Sequence, residues 1–72
     1  MAGISTLYIS QPGTSVRKQD ERLLLRRGKQ VVGDVPMLNL RRVIVIGHGI
    51  EVSTEAELAL VERNIDLYYF RA

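Results

Sequence analysis

The chain has 72 residues, with ten Lys or Arg, eight Asp or Glu and one His, which gives a net charge of +2. A chain of this length forms one domain at most and buries only a marginal core. Because it contains no cysteine and a single histidine, disulfide frameworks and Cys/His metal cages are excluded.

The first predicted elements are short strands separated by turns. Thr6 to Ile9 is a β-prone run that ends at the turn signal Gln11-Pro12-Gly13. Residues 14 to 19 predict a second strand. The leucine-rich residues 22 to 26 could equally begin a helix, but the run is too short for a stable one, so a strand is favoured. Residues 1 to 5 form the N-terminus and are expected to fray.

A second turn and a fourth strand follow. Gly28 supplies the positive φ that tight hairpin loops require. Residues 30 to 35 predict the strand, and Gly33 within it indicates a bulge or a close backbone approach. Pro36 cannot donate a hydrogen bond to a sheet and is therefore expected to end the strand.

Residues 43 to 46 are four consecutive β-branched residues. Such a run does not alternate between core and water, so it predicts a strand that is buried on both faces. A second apolar run at residues 67 to 70 follows a helix signal. This spacing predicts that the two strands are parallel and joined by a right-handed crossover helix.

The helix signal begins with Thr54 and Glu57, which have the spacing of a capping box. Asn64 is expected to end the helix in a left-handed conformation. Apolar residues at helical spacing predict the face that packs into the core: Leu58, Val61 and Ile65. The order of elements predicts the α+β class, as a mixed, partly folded-over sheet of about six strands with one helix (β-β-β-β-β-α-β).

Charge is divided unevenly along the chain. Residues 15 to 42 carry eight Lys or Arg and three acidic residues, a balance of +5, whereas residues 43 to 72 carry two Arg and five acidic residues, a balance of −3. This polarity could attract a polyanion at one end or pair two copies of the chain. No apolar stretch approaches the ~20 residues that span a bilayer, and no signal peptide is evident, so we expect a cytoplasmic location.

Two sets of residues are candidates for binding. Six cations on the predicted hairpins could contact DNA phosphates, or could instead form a solvated face that protects the sheet edges: Arg17, Lys18, Arg22, Arg26, Arg27 and Lys29. Four apolar residues outside the predicted helix core face are candidates for a dimer interface, because aromatic residues are enriched there: Tyr68, Phe70, Ala59 and Leu60. A domain with so small a core also has most to gain from a partner.

The order of several short motifs is more specific than any one of them. The succession runs Thr6-Leu7-Tyr8-Ile9, Gln11-Pro12-Gly13, Val35-Pro36-Met37, Leu40, the strand from Val43 to Gly47, Val52-Ser53-Thr54 and Val61-Glu62-Arg63-Asn64. Over residues 5 to 71 this order resembles the N-terminal β-rich domain of the CRISPR-associated integrase family. These integrases are the spacer-acquisition endonucleases of prokaryotic adaptive immunity.

The resemblance implies that residues 1 to 72 form a single N-terminal domain, which mediates homodimerisation and helps to cradle duplex DNA. The family's Mg- or Mn-dependent active site, built from Glu, His and Asp, lies in a C-terminal helical domain whose motifs are absent from this sequence. No catalytic residue, metal or cofactor is therefore expected here. The resemblance also implies a second small adaptation subunit as a partner of the full-length protein. One departure is His48, where the family usually has Asn.

The leading hypothesis is thus a non-catalytic dimerisation and DNA-cradling domain of an integrase. The alternative from another class is a free-standing small nucleic-acid-binding β protein. A third hypothesis, a small enzyme that uses His48, lacks the orienting partner and nucleophile that a general base needs, so a structural or incidental loop role is favoured for that residue.

Overall fold

The computed structural model describes residues 5–71, so residues 1 to 4 of the segment expected to fray, residues 1 to 5, lie outside the described residues. Within that range the chain forms seven strands and one helix, which confirms the α+β class. In chain order the elements are β1 (Thr6–Ile9), β2 (Thr14–Gln19), β3 (Arg22–Arg27), β4 (Gln30–Pro36), β5 (Arg42–Ile46), β6 (Glu51–Val52), α1 (Thr54–Glu62) and β7 (Asp66–Phe70).

The strands divide into two sheets rather than one folded-over sheet. The first has the order β1-β5-β7 and the second β4-β3-β2-β6. The short strand β6 was not predicted, because two residues carry too little pattern to identify a strand. It forms because Ser15 and Val16 of β2 pair in parallel with Glu51 and Val52.

The three-stranded sheet is parallel throughout. Its central strand β5 pairs with β1 on one side and with β7 on the other. The parallel pairing of β5 and β7 across the helix was predicted and is confirmed. Both outer strands of this sheet are edge strands, which is a point of exposure that proteins usually protect.

The second sheet is built on two consecutive hairpins. Asp20 and Gly28 adopt positive φ values of 54° and 63° in their turns, so the conformation predicted for Gly28 is confirmed. A register shift lies between Leu25 and Arg26, opposite Gly33 and Val31. The predicted bulge is therefore present next to Gly33. A Cβ atom on Gly33 would lie 2.7 Å from Cδ1 of Leu25, so the group that approaches this glycine closely is a side chain rather than the backbone.

The core lies between the two sheets and the helix. Leu23, Leu60, Val16 and Val43 are the largest side chains that are fully buried. They come from β3, α1, β2 and β5 respectively, so each layer of the fold contributes to one contiguous cluster. Leu25, Val35 and Leu67 are half-buried and pack against it.

The prediction that residues 43–46 are buried on both faces was wrong. Val43 and Val45 are buried, but Ile44 is half-buried and Ile46 is exposed. The helix and the second sheet cover only one side of β5, and among the described residues no element covers the other. A run of β-branched residues shows that a strand prefers cover on both sides, but it does not show that the same domain supplies both covers.

The helix begins one residue earlier than predicted. Ser53 is the N-cap, and its Oγ accepts a hydrogen bond from the Ala56 N–H at 3.1 Å. The Ser53 N–H also donates to the Val16 carbonyl at 3.0 Å, which holds this residue at the end of β6 in an extended conformation. At the other end Asn64 has a φ of 57°, as predicted.

The predicted core face of the helix was wrong in part. Leu58 and Val61 are exposed, whereas Ala56, Ala59 and Leu60 are buried. Ile65, beyond the helix, is buried as predicted. The physical reason is that apolar residues lie on nearly every side of α1, and the face with the two alanines is the one whose small side chains let the helix approach the sheets closely.

Arg63 fastens the end of the helix to the β2–β3 turn. Its Nη2 donates to both carboxylate oxygens of Glu21, at 2.9 and 2.7 Å, and its Nη1 donates to the Ala59 carbonyl at 3.0 Å. The hydrogen bonds and positive charge of Arg63 hold the pKa of Glu21 below its usual value.

No helix in residues 5–71 has the length and apolar character needed to cross a membrane.

Candidate functional site

The outer side of the parallel sheet carries a continuous apolar surface. Tyr8, Ile44 and Tyr68 lie in one row across the three strands, and Ile46 and Phe70 lie in the next. Alternation along each strand places these five residues on the side opposite the buried Val43. We call Tyr8, Ile44, Ile46, Tyr68 and Phe70 the aromatic face.

The aromatic face is open to solvent in the isolated chain. Tyr8 is 65 % exposed, Tyr68 45 %, Phe70 54 % and Ile46 41 %. The Tyr68 and Phe70 rings stack with their centroids 6.3 Å apart and their planes inclined by 24°. At ~150–250 Å² for each aromatic side chain, the exposed aromatic area amounts to roughly 300 Å². This is about the size of the largest apolar patch on a typical soluble protein, and such a patch is often functional.

Polar residues border this surface. Arg42 of β5 is aligned with Thr6 on one side and Asp66 on the other, in the row that precedes Tyr8, Ile44 and Tyr68. An apolar centre with a charged margin is the usual composition of a protein–protein interface.

Tyr69 points to the opposite side of β7 from Tyr68 and Phe70. Its hydroxyl donates a hydrogen bond to Oε2 of Glu57 on α1 at 2.9 Å. Partial burial, together with the hydrogen bond to and the charge of Glu57, raises the pKa of Tyr69 to about 12. Tyr69 therefore joins β7 to the helix and lies outside the aromatic face.

The four residues predicted for a dimer interface separate into two pairs. Tyr68 and Phe70 are exposed on the aromatic face. Ala59 and Leu60 are buried in the core, so their prediction as interface residues must be corrected. Side chains that already pack between the sheets have no surface left to offer a second copy. Tyr8, Ile44 and Ile46 were not predicted for this surface, because only the parallel register brings them beside Tyr68 and Phe70.

The six predicted DNA-binding cations do not converge on one spot. Three of them lie on the outer side of the antiparallel sheet: Arg17, Arg22 and Arg26. Their cross-strand partners are Leu24, Gln19 and Ser15 respectively. Lys18 and Arg27 lie opposite Leu23 and Thr14, on the core side but at the two ends of the hairpin, where both are exposed. Lys29 is exposed in the β3–β4 turn.

Acidic residues offset the cations at one end of this hairpin. Arg22 forms an ion pair with Asp34, and Lys18 lies near Glu21, whose carboxylate Arg63 already holds. The end formed by Arg26, Arg27 and Lys29, which we call the basic tip, has no acidic residue between positions 22 and 33. Nε of Arg26 is buried without a hydrogen-bond partner. The basic tip is thus the part of the hairpin with net positive charge.

The basic tip and the aromatic face meet at a shallow concavity. Tyr8 and Ile9 line one part of it, and Arg27, Val32 and Leu25 line another, around a volume of about 300 Å³. A partner that covers Tyr8 would therefore pass close to the Arg27 guanidinium.

The described residues do not fit a divalent metal centre. Within positions 5–71 no three His, Cys, Asp or Glu side chains lie close enough together to hold a metal ion. His48 is exposed in the loop after β5, between Gly47 and Gly49, which adopt φ values of 94° and 76°.

Comparison with known proteins gives a family. The family model described as CRISPR associated protein Cas1 matches residues 7–72. No curated protein sequence matches the chain.

Two solved structures share the fold. A chain of a partial Cas6-RT-Cas1–Cas2 complex superposes with a TM-score of 0.82 at 16 % identity, and covers 96 % of this chain. A chain of a Cas6-RT-Cas1–Cas2 complex does so with a TM-score of 0.78 at 13 % identity, again over 96 % of this chain. This chain spans 20 % and 8 % of those two longer chains.

Proposed function

The chain belongs to the CRISPR associated protein Cas1 family, and on that premise we propose that it is the N-terminal assembly domain of a spacer-acquisition integrase. In this proposal the domain pairs two protomers and offers a weakly basic surface to duplex DNA. The catalytic chemistry resides in a separate domain of the full-length protein. The family match favours this function over a free-standing nucleic-acid-binding protein.

The observation that carries the proposal is the aromatic face. It is a flat, apolar surface with a charged margin, on a sheet that one domain covers on one side only. A two-fold pair would bury the same face from each copy. Because a lasting interface buries ~800 Å² on each partner, the aromatic face would form the centre and neighbouring polar residues the rim.

Sedimentation velocity over a range of concentrations tests the pairing. In high salt, where contacts between oppositely charged surfaces are screened, we expect the native chain to form a dimer and Tyr8→Ser/Phe70→Ser to be folded but monomeric, because both side chains are exposed in the single chain. Leu38→Ser is the matched control, since Leu38 is 76 % exposed but lies in the turn before β5. A native chain that stays monomeric at the highest concentrations, or a double variant that still dimerises, would refute the pairing.

The proposed DNA contact is carried by the basic tip. Its contacts would be to phosphates, which need positive charge at a reachable spacing and give no sequence preference. Replacing Arg27 and Lys29 with Ala should lower the slope of log affinity against log salt concentration by roughly 2, about one unit for each lost contact. Arg41→Ala removes an exposed cation from another part of the chain and should leave the slope unchanged.

We propose that this domain contributes no catalytic group. Purified chain, supplied with Mg²⁺ or Mn²⁺ and duplex DNA, should give no cleavage, and His48→Ala should change nothing in that assay. Cleavage that co-purifies with the chain and is lost in His48→Ala would refute this part of the proposal.

We propose further that the full-length protein works with a small second subunit of the Cas2 type. Support comes from the two solved Cas6-RT-Cas1–Cas2 assemblies that contain a chain with this fold.

A further inference from the structure

The outward side of α1 is apolar at its centre. Leu58 and Val61 are both more than half exposed, on the side of the helix opposite the buried Ala56, Ala59 and Leu60. An amphipathic surface helix normally presents charged or polar residues there, with its apolar residues turned to the core. Helix α1 is apolar on both sides, and the fold uses only one of them.

Two glutamates border this apolar strip along one edge. Glu55 and Glu62 are exposed beside it, and no basic residue lies in the last turn of the helix. The nearest cation, Arg63, approaches Glu62 at 3.7 Å but is bound by both carboxylate oxygens of Glu21. We call Glu55, Leu58, Val61 and Glu62 the acidic ridge.

The basic tip has the complementary composition. Beside Arg26, Arg27 and Lys29 are Val31 and Val32, both more than half exposed. Val31 on β4 pairs with Arg26 on β3, and Val32 is the extra residue at the register shift, without a partner on β3. The tip is therefore an apolar pair beside cations, as the ridge is an apolar pair beside anions.

Within a single copy of the chain, the basic tip and the acidic ridge do not contact each other. Helix α1 packs against β2 and β7, whereas the tip is the turn between β3 and β4. Within residues 5–71 no ion pair joins the tip to the ridge. Each surface is thus available to a second molecule.

We propose that the basic tip of one copy docks on the acidic ridge of another. Opposite charges would meet around a small apolar contact, which gives the pairing its orientation and a strong dependence on salt. The contact uses none of the five residues of the aromatic face and goes beyond the proposed function, because it links pairs into larger assemblies or closes reciprocally between two copies. It also places duplex DNA and the ridge in competition for the same cations.

Charge reversal followed by mixing tests this contact. Glu55→Lys/Glu62→Lys reverses the ridge, and Arg27→Glu/Lys29→Glu reverses the tip. Each variant alone should self-associate through this contact at least about tenfold more weakly than the native chain at low salt, because like charges then face each other. An equimolar mixture of the two variants should recover association, since the reversed tip of one matches the reversed ridge of the other.

Sedimentation velocity is the readout, in low and in high salt. Arg41→Glu is the control, because it changes net charge by the same amount per residue at an exposed position away from the tip. Circular dichroism confirms that each variant is folded, and the milder Glu55→Gln/Glu62→Gln replaces any that is not. The aromatic-face dimer should persist in high salt while the tip–ridge contact is lost. Failure of the mixture to recover association, or a native mass that is the same at both salt concentrations, would overturn the proposal.

Discussion

Leu58 and Leu60 provide a direct test of which side of α1 faces the core. They are the same residue type, two positions apart on one helix, but Leu60 is 1 % exposed and Leu58 is 57 % exposed. Replacing a buried leucine with alanine costs about 2–5 kcal/mol, through lost burial and the cavity left behind. The same substitution at an exposed helix position changes the free energy of unfolding by less than about 1 kcal/mol, because alanine has a helix propensity at least as good as that of leucine.

We therefore expect Leu60→Ala to lower the unfolding temperature by about 8 °C or more, and Leu58→Ala to lower it by a few degrees at most, since 1 kcal/mol corresponds to about 4–8 °C in a domain of this size. Urea denaturation followed by circular dichroism would give the two free energies directly. All variants are compared at one protein concentration, because self-association adds to apparent stability. Equal losses at the two positions, or a larger loss at Leu58, would refute this orientation of the helix.

Three further predictions follow from single contacts. Gly33→Ala should destabilise the domain by about 1–2 kcal/mol in urea denaturation, because the new Cβ lies 2.7 Å from Leu25; unchanged stability would show that the bulge relaxes freely. Glu21→Gln should flatten the acid limb of the stability curve: Arg63 lowers the pKa of Glu21 from 4.5, so its contribution is present above that pH and is lost as the pH falls below it. Tyr69→Phe should flatten the alkaline limb between pH 10 and about 12, where the raised pKa of Tyr69 makes stability fall as the pH rises; a limb that keeps its slope in the variant would contradict this assignment.

Local signals were sufficient to locate most of the secondary structure. The strand at Thr6–Ile9 has the predicted bounds, and the turn at Gly28 and the left-handed residue at Asn64 lie where predicted. These features depend on a few adjacent residues whose backbone preferences are intrinsic. Strand β6 has no such signal, because its two residues are extended only through their pairing with β2.

The candidate site was predicted less completely. Tyr68 and Phe70 were identified as surface aromatics, but Tyr8 joins them only because β1 and β7 flank the same central strand. The six cations were identified by residue type, but whether each one can contact a DNA phosphate depends on which acidic residues the fold places beside it. Asp34 offsets Arg22 from twelve positions away, and no local pattern indicates that pairing.

The sequence by itself determined where the turns, the helix and every strand except β6 lie, and that the charge is divided between the front and back of the chain. Only the tertiary structure decided which side of α1 is buried and which side of β5 is left open. Both elements are apolar on more than one side, so their own residues allow more than one orientation. Their orientation depends on the shape of the elements that pack against them, and those elements consist of residues distant in the sequence.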